Sequence, residues 1–75
     1  MATEYFVTRR GAHWYVDVNR DNHGPYLSRR DAVLDALDAA EAEGRHAVVL
    51  VKEPGHDATV LWRHGSKHPR PLDVV

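Results

Sequence analysis

The sequence contains no cysteine, no isoleucine and no glutamine, and its 75 residues carry a net charge of only −1. The absence of cysteine excludes disulfides, thiolate metal sites and a cysteine nucleophile. The longest apolar run, residues 47–51, is far too short to cross a bilayer as a helix. No charged segment followed by an apolar one opens the chain, so we expect no secretory signal and a cytoplasmic location.

The composition that remains is that of a small globular domain. Hydrophobic residues make up 43% and charged residues 28% of the chain, which is too apolar for a disordered protein. Arginine far outnumbers lysine, a bias typical of a GC-rich bacterial genome. We expect one domain over residues 1–64 and an irregular tail over 65–75, where polar residues are mixed with Pro69 and Pro71.

The first third of the chain predicts a β-hairpin followed by a loop. Residues 4–9 are rich in aromatic and β-branched side chains, and residues 13–18 alternate between apolar and polar. Gly11 is suited to the turn between them. Residues 19–25 read Asn-Arg-Asp-Asn-His-Gly-Pro, a density of turn formers that predicts a loop.

A helix is predicted over residues 29–43. Ser28 is a favourable N-cap, Asp31 can complete a capping box, and Gly44 is a natural stop. Alanine and leucine recur at helical spacing on one face. Residues 31–44 also carry five acids and no base, which indicates a solvated outer face or, as the alternative, a docking surface for a basic partner.

Two further strands are predicted after the helix, over residues 46–52 and 58–63, with a hairpin loop between them. The element order is then β-β-α-β-β. We expect an α+β fold in which one helix packs on one face of a four-stranded antiparallel sheet.

One helix can cover only one face of such a sheet, yet residues 47–51 of the third predicted strand are apolar on both faces. An uncovered apolar face usually marks an interface. We therefore expect a homodimer, which forms either through this face or by pairing of strand edges. Two alternatives remain open: the tail, with its apolar end residues, folds over this face, or another molecule such as a protein partner binds there. The candidate interface residues are Phe6, Tyr15, Val48, Leu50 and Leu61.

Basic residues provide a second candidate surface. Cations combined with aromatic side chains on a sheet can bind single-stranded nucleic acid, and arginines at a helix start can bind phosphate. A net charge of −1 is unlike that of a dedicated nucleic-acid-binding protein. The candidate anion-binding residues are Arg9, Arg10, Arg29, Arg30, Lys52 and Arg63.

Metal binding and catalysis have little support in the sequence. Six histidines are present, but their spacing does not match a metal-ligand pattern, and Gly65 and Pro69 disfavour a helix through His64 and His68. No nucleophile elbow or phosphate-binding loop motif occurs. Ser28 is better explained as a helix cap than as a nucleophile. We therefore expect no enzyme activity, no metal and no cofactor.

The chain resembles a family of short bacterial proteins known as a domain of unknown function. The resemblance rests on Tyr5-Phe6-Val7, Trp14-Tyr15-Val16, the Ser28-capped alanine-rich helix, and the segments 48–51 and 59–63. It covers about four fifths of the chain, and the long 19–25 segment and the acidic helix depart from it. The resemblance implies the ββαββ layout and no activity or ligand.

Together these patterns predict a small non-enzymatic interaction module that self-associates through the uncovered sheet face. The alternative is an accessory nucleic-acid-binding protein that uses the basic and aromatic side chains.

Overall fold

The computed structural model describes residues 3–43 and 47–64. One helix packs on a five-stranded mixed sheet with the order β3-β2-β1-β4-β5, so the α+β class is confirmed and the four-stranded antiparallel sheet is wrong. The elements are β1 (Glu4–Arg10), β2 (His13–Val18), β3 (Asp21–Tyr26), α1 (Arg29–Glu43), β4 (Val48–Lys52) and β5 (Thr59–Arg63).

The helix begins where its cap predicts. The backbone N–H of Asp31 donates to Oγ of Ser28 at 3.1 Å, which satisfies one of the free amides of the first turn. The predicted stop at Gly44, the strand start at 46 and the tail over 65–75 lie outside the described residues. Within the described ranges, no helix has both the length and the apolar character needed to cross a membrane.

The predicted loop over residues 19–25 is wrong, because most of it forms β3. Among the described strands, β3 pairs with β2 alone and so is at the edge of the sheet. An edge strand tolerates Gly24 and Pro25 because one side of its backbone has no ladder to complete. Trp14 pairs with Tyr26 and Val16 pairs with His23. Strand β3 therefore has one extra residue, a β-bulge, within the segment that contains Gly24 and Pro25.

The extra strand explains why the sheet is mixed. β1, β2 and β3 form an antiparallel meander, so β3 runs in the same direction as β1. Helix α1 then returns the chain to the starting end of the sheet, and β4 pairs with β1 in parallel. Parallel neighbours require a crossover of this kind.

The core lies between α1 and one face of the sheet. Val7, Val33, Leu37 and Val49 are fully buried. The helix contributes alanines at 32, 36 and 40, and these small side chains allow its backbone to lie close to the strands. Side chains that point to this side of the sheet define the covered face.

Candidate functional site

The open face is the side of the sheet that points away from α1. Tyr5, Val7, Val16 and Val49 all belong to the core under the helix, and successive residues of a strand point to opposite faces. The open face therefore carries Phe6, Thr8, Tyr15, Asp17, Val48, Leu50, Lys52 and Val60.

Apolar side chains occupy the centre of the open face. Phe6 is opposite Leu50 in the β1–β4 register, and Leu50 is opposite Val60 in the β4–β5 register, so the three form one row across neighbouring strands. Val48 and Leu50 are only 5% and 8% exposed, whereas Val60 is 41% exposed. We call Phe6, Tyr15, Val48, Leu50 and Val60 the apolar patch.

Leu61 does not belong to the open face, contrary to the sequence expectation. Val49 pairs with Trp62 and Leu50 pairs with Val60, which leaves Leu61 as an extra residue in a β-bulge. Its side chain packs against the core under the helix. Val60 takes the predicted place of Leu61, because the bulge reverses the alternation from this point towards the start of β5.

No helix or strand in the described part of the chain is layered over the open face. Helix α1 contacts β1, β2, β3 and β4 from the covered side, and the remaining contacts join neighbouring strands. The described helix and strands therefore leave the apolar patch without a second layer of secondary structure packed against it.

A groove of about 360 Å³ lies beside the apolar patch, at the end of the sheet where β1 and β4 finish. We call it the basic groove. The turn after β4 forms one wall, and the last residues of β1 form the other. Its lining residues are Thr8, Arg9, Arg10, Asp17, Lys52, Glu53, Pro54 and Gly55.

Arg10 is held in place on the rim of the basic groove. Its Nη2 donates to Oδ2 of Asp17 at 2.9 Å, and its guanidinium carbon lies 5.4 Å from the centre of the Tyr15 ring. Asn22 donates to the other carboxylate oxygen of Asp17. Asp17 therefore has both oxygens engaged and orients the arginine, while Tyr15 adds a cation–π contact.

One residue of the groove lining, Thr8, carries an unsatisfied polar group. Oγ1 of Thr8 is buried and has no hydrogen-bond partner. Lys52, its neighbour across the β1–β4 pair, turns its Nζ towards the backbone oxygen of His56 at 3.3 Å. This contact is long for a charged donor.

The structure groups only part of the predicted anion-binding set. Arg9, Arg10 and Lys52 line the basic groove. Arg29 and Arg30 begin α1 at the same end of the sheet, but they do not line the groove. Arg63 pairs with Val48, at the opposite end of β4 from Lys52.

Sequence reasoning missed three contributors to this region. Val60 was hidden by the bulge in β5, which has no sequence signature here. Thr8 and Asp17 have no sequence signal for a role here, because a buried hydroxyl without a partner and an ion pair across strands are visible only in three dimensions. Among residues 3–43 and 47–64, no three histidine or acidic side chains group closely enough to hold a metal ion.

Comparison with known proteins adds no assignment, since no family model, curated protein or solved structure matches this chain.

Proposed function

We propose that the protein is a non-enzymatic interaction module that pairs with a second copy of itself through the open face. The observation that carries the proposal is the apolar patch, which forms a continuous row across three strands with no described element layered over it. Val48 and Leu50 are already buried within one chain, so the surface left to bury belongs to Val60 and to the half-buried Phe6 and Tyr15. Burying that surface between two sheets is favourable, and two sheets pack face to face at about 10 Å.

The arrangement of side chains on the open face is self-complementary about β4. Phe6 and Val60 flank Leu50 on either side, and Glu4 and Arg63 flank Val48 in the same way. A two-fold axis along β4 would place Phe6 of one copy on Val60 of the other, with Leu50 on Leu50. Paired copies related by such an axis use the same surface twice.

Charge supports the same arrangement. Glu4 is on β1 and Arg63 is on β5, and both are exposed. The axis along β4 would bring Glu4 of each copy to Arg63 of the other, so two opposite-charge contacts form at one rim. Charges at a rim contribute mainly to orientation and specificity rather than to affinity.

The first test measures solution mass by light scattering for the wild type and for Val60→Asp. Val60 is 41% exposed, so the substitution does not place a charge in the core. We expect the wild type to be a dimer and Val60→Asp to be a monomer. Leu27→Asp is the matched control, because Leu27 is 83% exposed and follows β3, outside the open face. A monomeric wild type, or equal effects of the two substitutions, contradicts the proposal.

A charge exchange tests the orientation of the two copies. Glu4→Lys and Arg63→Glu should each weaken the dimer, and the double variant should restore it. A chain that ends at His64 should still pair. Pairing that is lost in this shorter chain would assign the contact to residues 65–75 and overturn the proposal.

Nucleic-acid binding is a second candidate function, favoured by the contact of Arg10 with the ring of Tyr15 and by the place of Lys52 in the same groove lining as Arg10. Bases stack on aromatic rings and phosphates pair with cations in such surfaces. The two functions differ in salt dependence. Phosphate contacts weaken steeply as salt is added, whereas apolar pairing does not.

A further inference from the structure

We propose that the basic groove is a binding site for a phosphate group. This inference goes beyond self-association and rests on different residues. Two cations on the open face meet in one concave site, Arg10 at the end of β1 and Lys52 at the end of β4. Arg9 also lines the groove, but it pairs with Trp14 of the core and so belongs to the covered side of the sheet. A phosphate dianion accepts hydrogen bonds from several donors at once and is favoured where cations converge.

The Thr8 hydroxyl is a further donor for the site. Its oxygen is buried and unpartnered in the described residues, and buried hydroxyls normally have a partner. Thr8 also lines the groove, so a rotation of its side chain about the Cα–Cβ bond is the change that the proposal requires to present the hydroxyl to a ligand. A phosphate oxygen would then accept the proton that no protein atom accepts.

Each cation has donor capacity left for an anion. Arg10 gives Nη2 to Asp17, and a guanidinium carries five N–H donors. The ammonium of Lys52 makes one long contact, with the backbone oxygen of His56. Asp17 holds Arg10 at the groove and has both oxygens engaged.

The lining holds two carboxylates, Asp17 and Glu53, and both oppose an anion. Asp17 is neutralised in part by its ion pair with Arg10, so the stronger opposition comes from Glu53. It is half-buried on the turn wall of the groove, where its carboxylate repels phosphate. The site is therefore expected to bind phosphate weakly, and removal of this charge should tighten binding. That expectation gives the proposal a test in which a substitution improves binding rather than destroying it.

The experiment titrates ¹⁵N-labelled protein with sodium phosphate at constant ionic strength, with chloride as the balancing anion. We expect saturable shifts of the amide signals of Thr8, Arg10, Lys52 and Gly55. Lys52→Met and Thr8→Val should each weaken binding about ten-fold, since a hydrogen bond to a charged group is lost. Thr8→Ser should retain binding, and Glu53→Gln should tighten it. Shifts that do not saturate would overturn the proposal.

Arg20→Met is the matched control for net charge. Arg20 is exposed in the turn between β2 and β3, at the end of the sheet away from the groove. The Arg20→Met substitution should leave phosphate binding unchanged. If it weakens binding as much as Lys52→Met does, the effect is one of overall charge, and no built site exists.

Two further arms distinguish the sources of the phosphate and the two proposals. A single-stranded oligonucleotide that competes with phosphate identifies a nucleic-acid backbone as the source, and one that does not compete indicates a small phosphorylated molecule. The titration is repeated with Val60→Asp. Because the groove is complete within one chain, this variant should bind phosphate whether or not it self-associates, so either proposal can fail alone.

Discussion

The Tyr5 hydroxyl donates a 2.6 Å hydrogen bond to Oε2 of Glu43, joining the start of β1 to the last turn of α1. Thr3 donates to the other oxygen of the same carboxylate at 2.9 Å. Glu43 thereby holds the end of the helix on the sheet, 38 residues away along the chain from Tyr5. The two hydrogen bonds, from Tyr5 first and Thr3 second, lower the pKa of Glu43.

Stability should fall in alkali because of two tyrosines. Burial first, and then the bond to Glu43, raises the pKa of Tyr5 to about 12 from 10.0. Burial and a bond to Asp35 raise the pKa of Tyr26 to about 12 in the same way. A pKa raised by folding contributes stability that is complete below pH 10 and is lost as pH rises towards 12.

Urea unfolding at pH 8, 10 and 11 checks this loss in the wild type, Tyr5→Phe, Tyr26→Phe and the double variant. Each single variant should lose less stability between pH 8 and 11 than the wild type, and the double variant least. A double variant whose stability declines as steeply as that of the wild type would show that other groups cause the loss.

Gly24→Ala should destabilise the protein more than Gly11→Ala. Gly24 has a φ of 135°, and a Cβ there would lie 2.8 Å from Cδ2 of Tyr15 and 3.0 Å from the backbone oxygen of Trp14. Gly11 has a φ of 62° and open space around its Cβ position, so alanine there costs only about 1–2 kcal/mol of backbone strain. Urea unfolding compares the two. Equal losses of stability in the two variants would mean that the Tyr15 side chain moves away from the new methyl group at little cost.

Trp14→Ala should cost about 3–5 kcal/mol, a large part of the stability of a domain this small. Trp14 is 9% exposed and belongs to the core under the helix. Trp62→Ala is the matched control, because Trp62 is only partly buried at the margin of that core. Its loss should be clearly smaller by the same measurement. If Trp14→Ala lowers the free energy of unfolding only slightly, Trp14 is not a central residue of the core.

Local sequence patterns predict much of the fold. The largest error of that prediction has one source, the missed strand β3. Alternation identifies β1 and β2, and the Ser28 cap identifies the start of α1. The segment Asp21–Tyr26 has no β-forming composition and becomes a strand only because β2 offers it a partner. Missing β3 then forces the wrong direction on β4, since two strands before a helix predict antiparallel pairing where three produce parallel pairing.

The candidate site was predictable where it follows alternation. Phe6, Tyr15, Val48 and Leu50 all lie on the open face, as period-two patterns indicate. Leu61 leaves it because one extra residue in β5 reverses the pattern. The meeting of Arg10 with Lys52 depends on the parallel register of β1 and β4, so an antiparallel arrangement of these strands cannot place them together.

The most direct test of self-association is an isotope-filtered NOE spectrum of a mixture of labelled and unlabelled protein. Within one chain, Phe6 and Val60 are two strands apart, or about 9–10 Å, which is beyond the reach of a strong NOE. Pairing about β4 predicts strong intermolecular NOEs between the Phe6 ring and the Val60 methyl groups. A dimer without these NOEs, or a chain that remains monomeric in the mixture, would contradict the account.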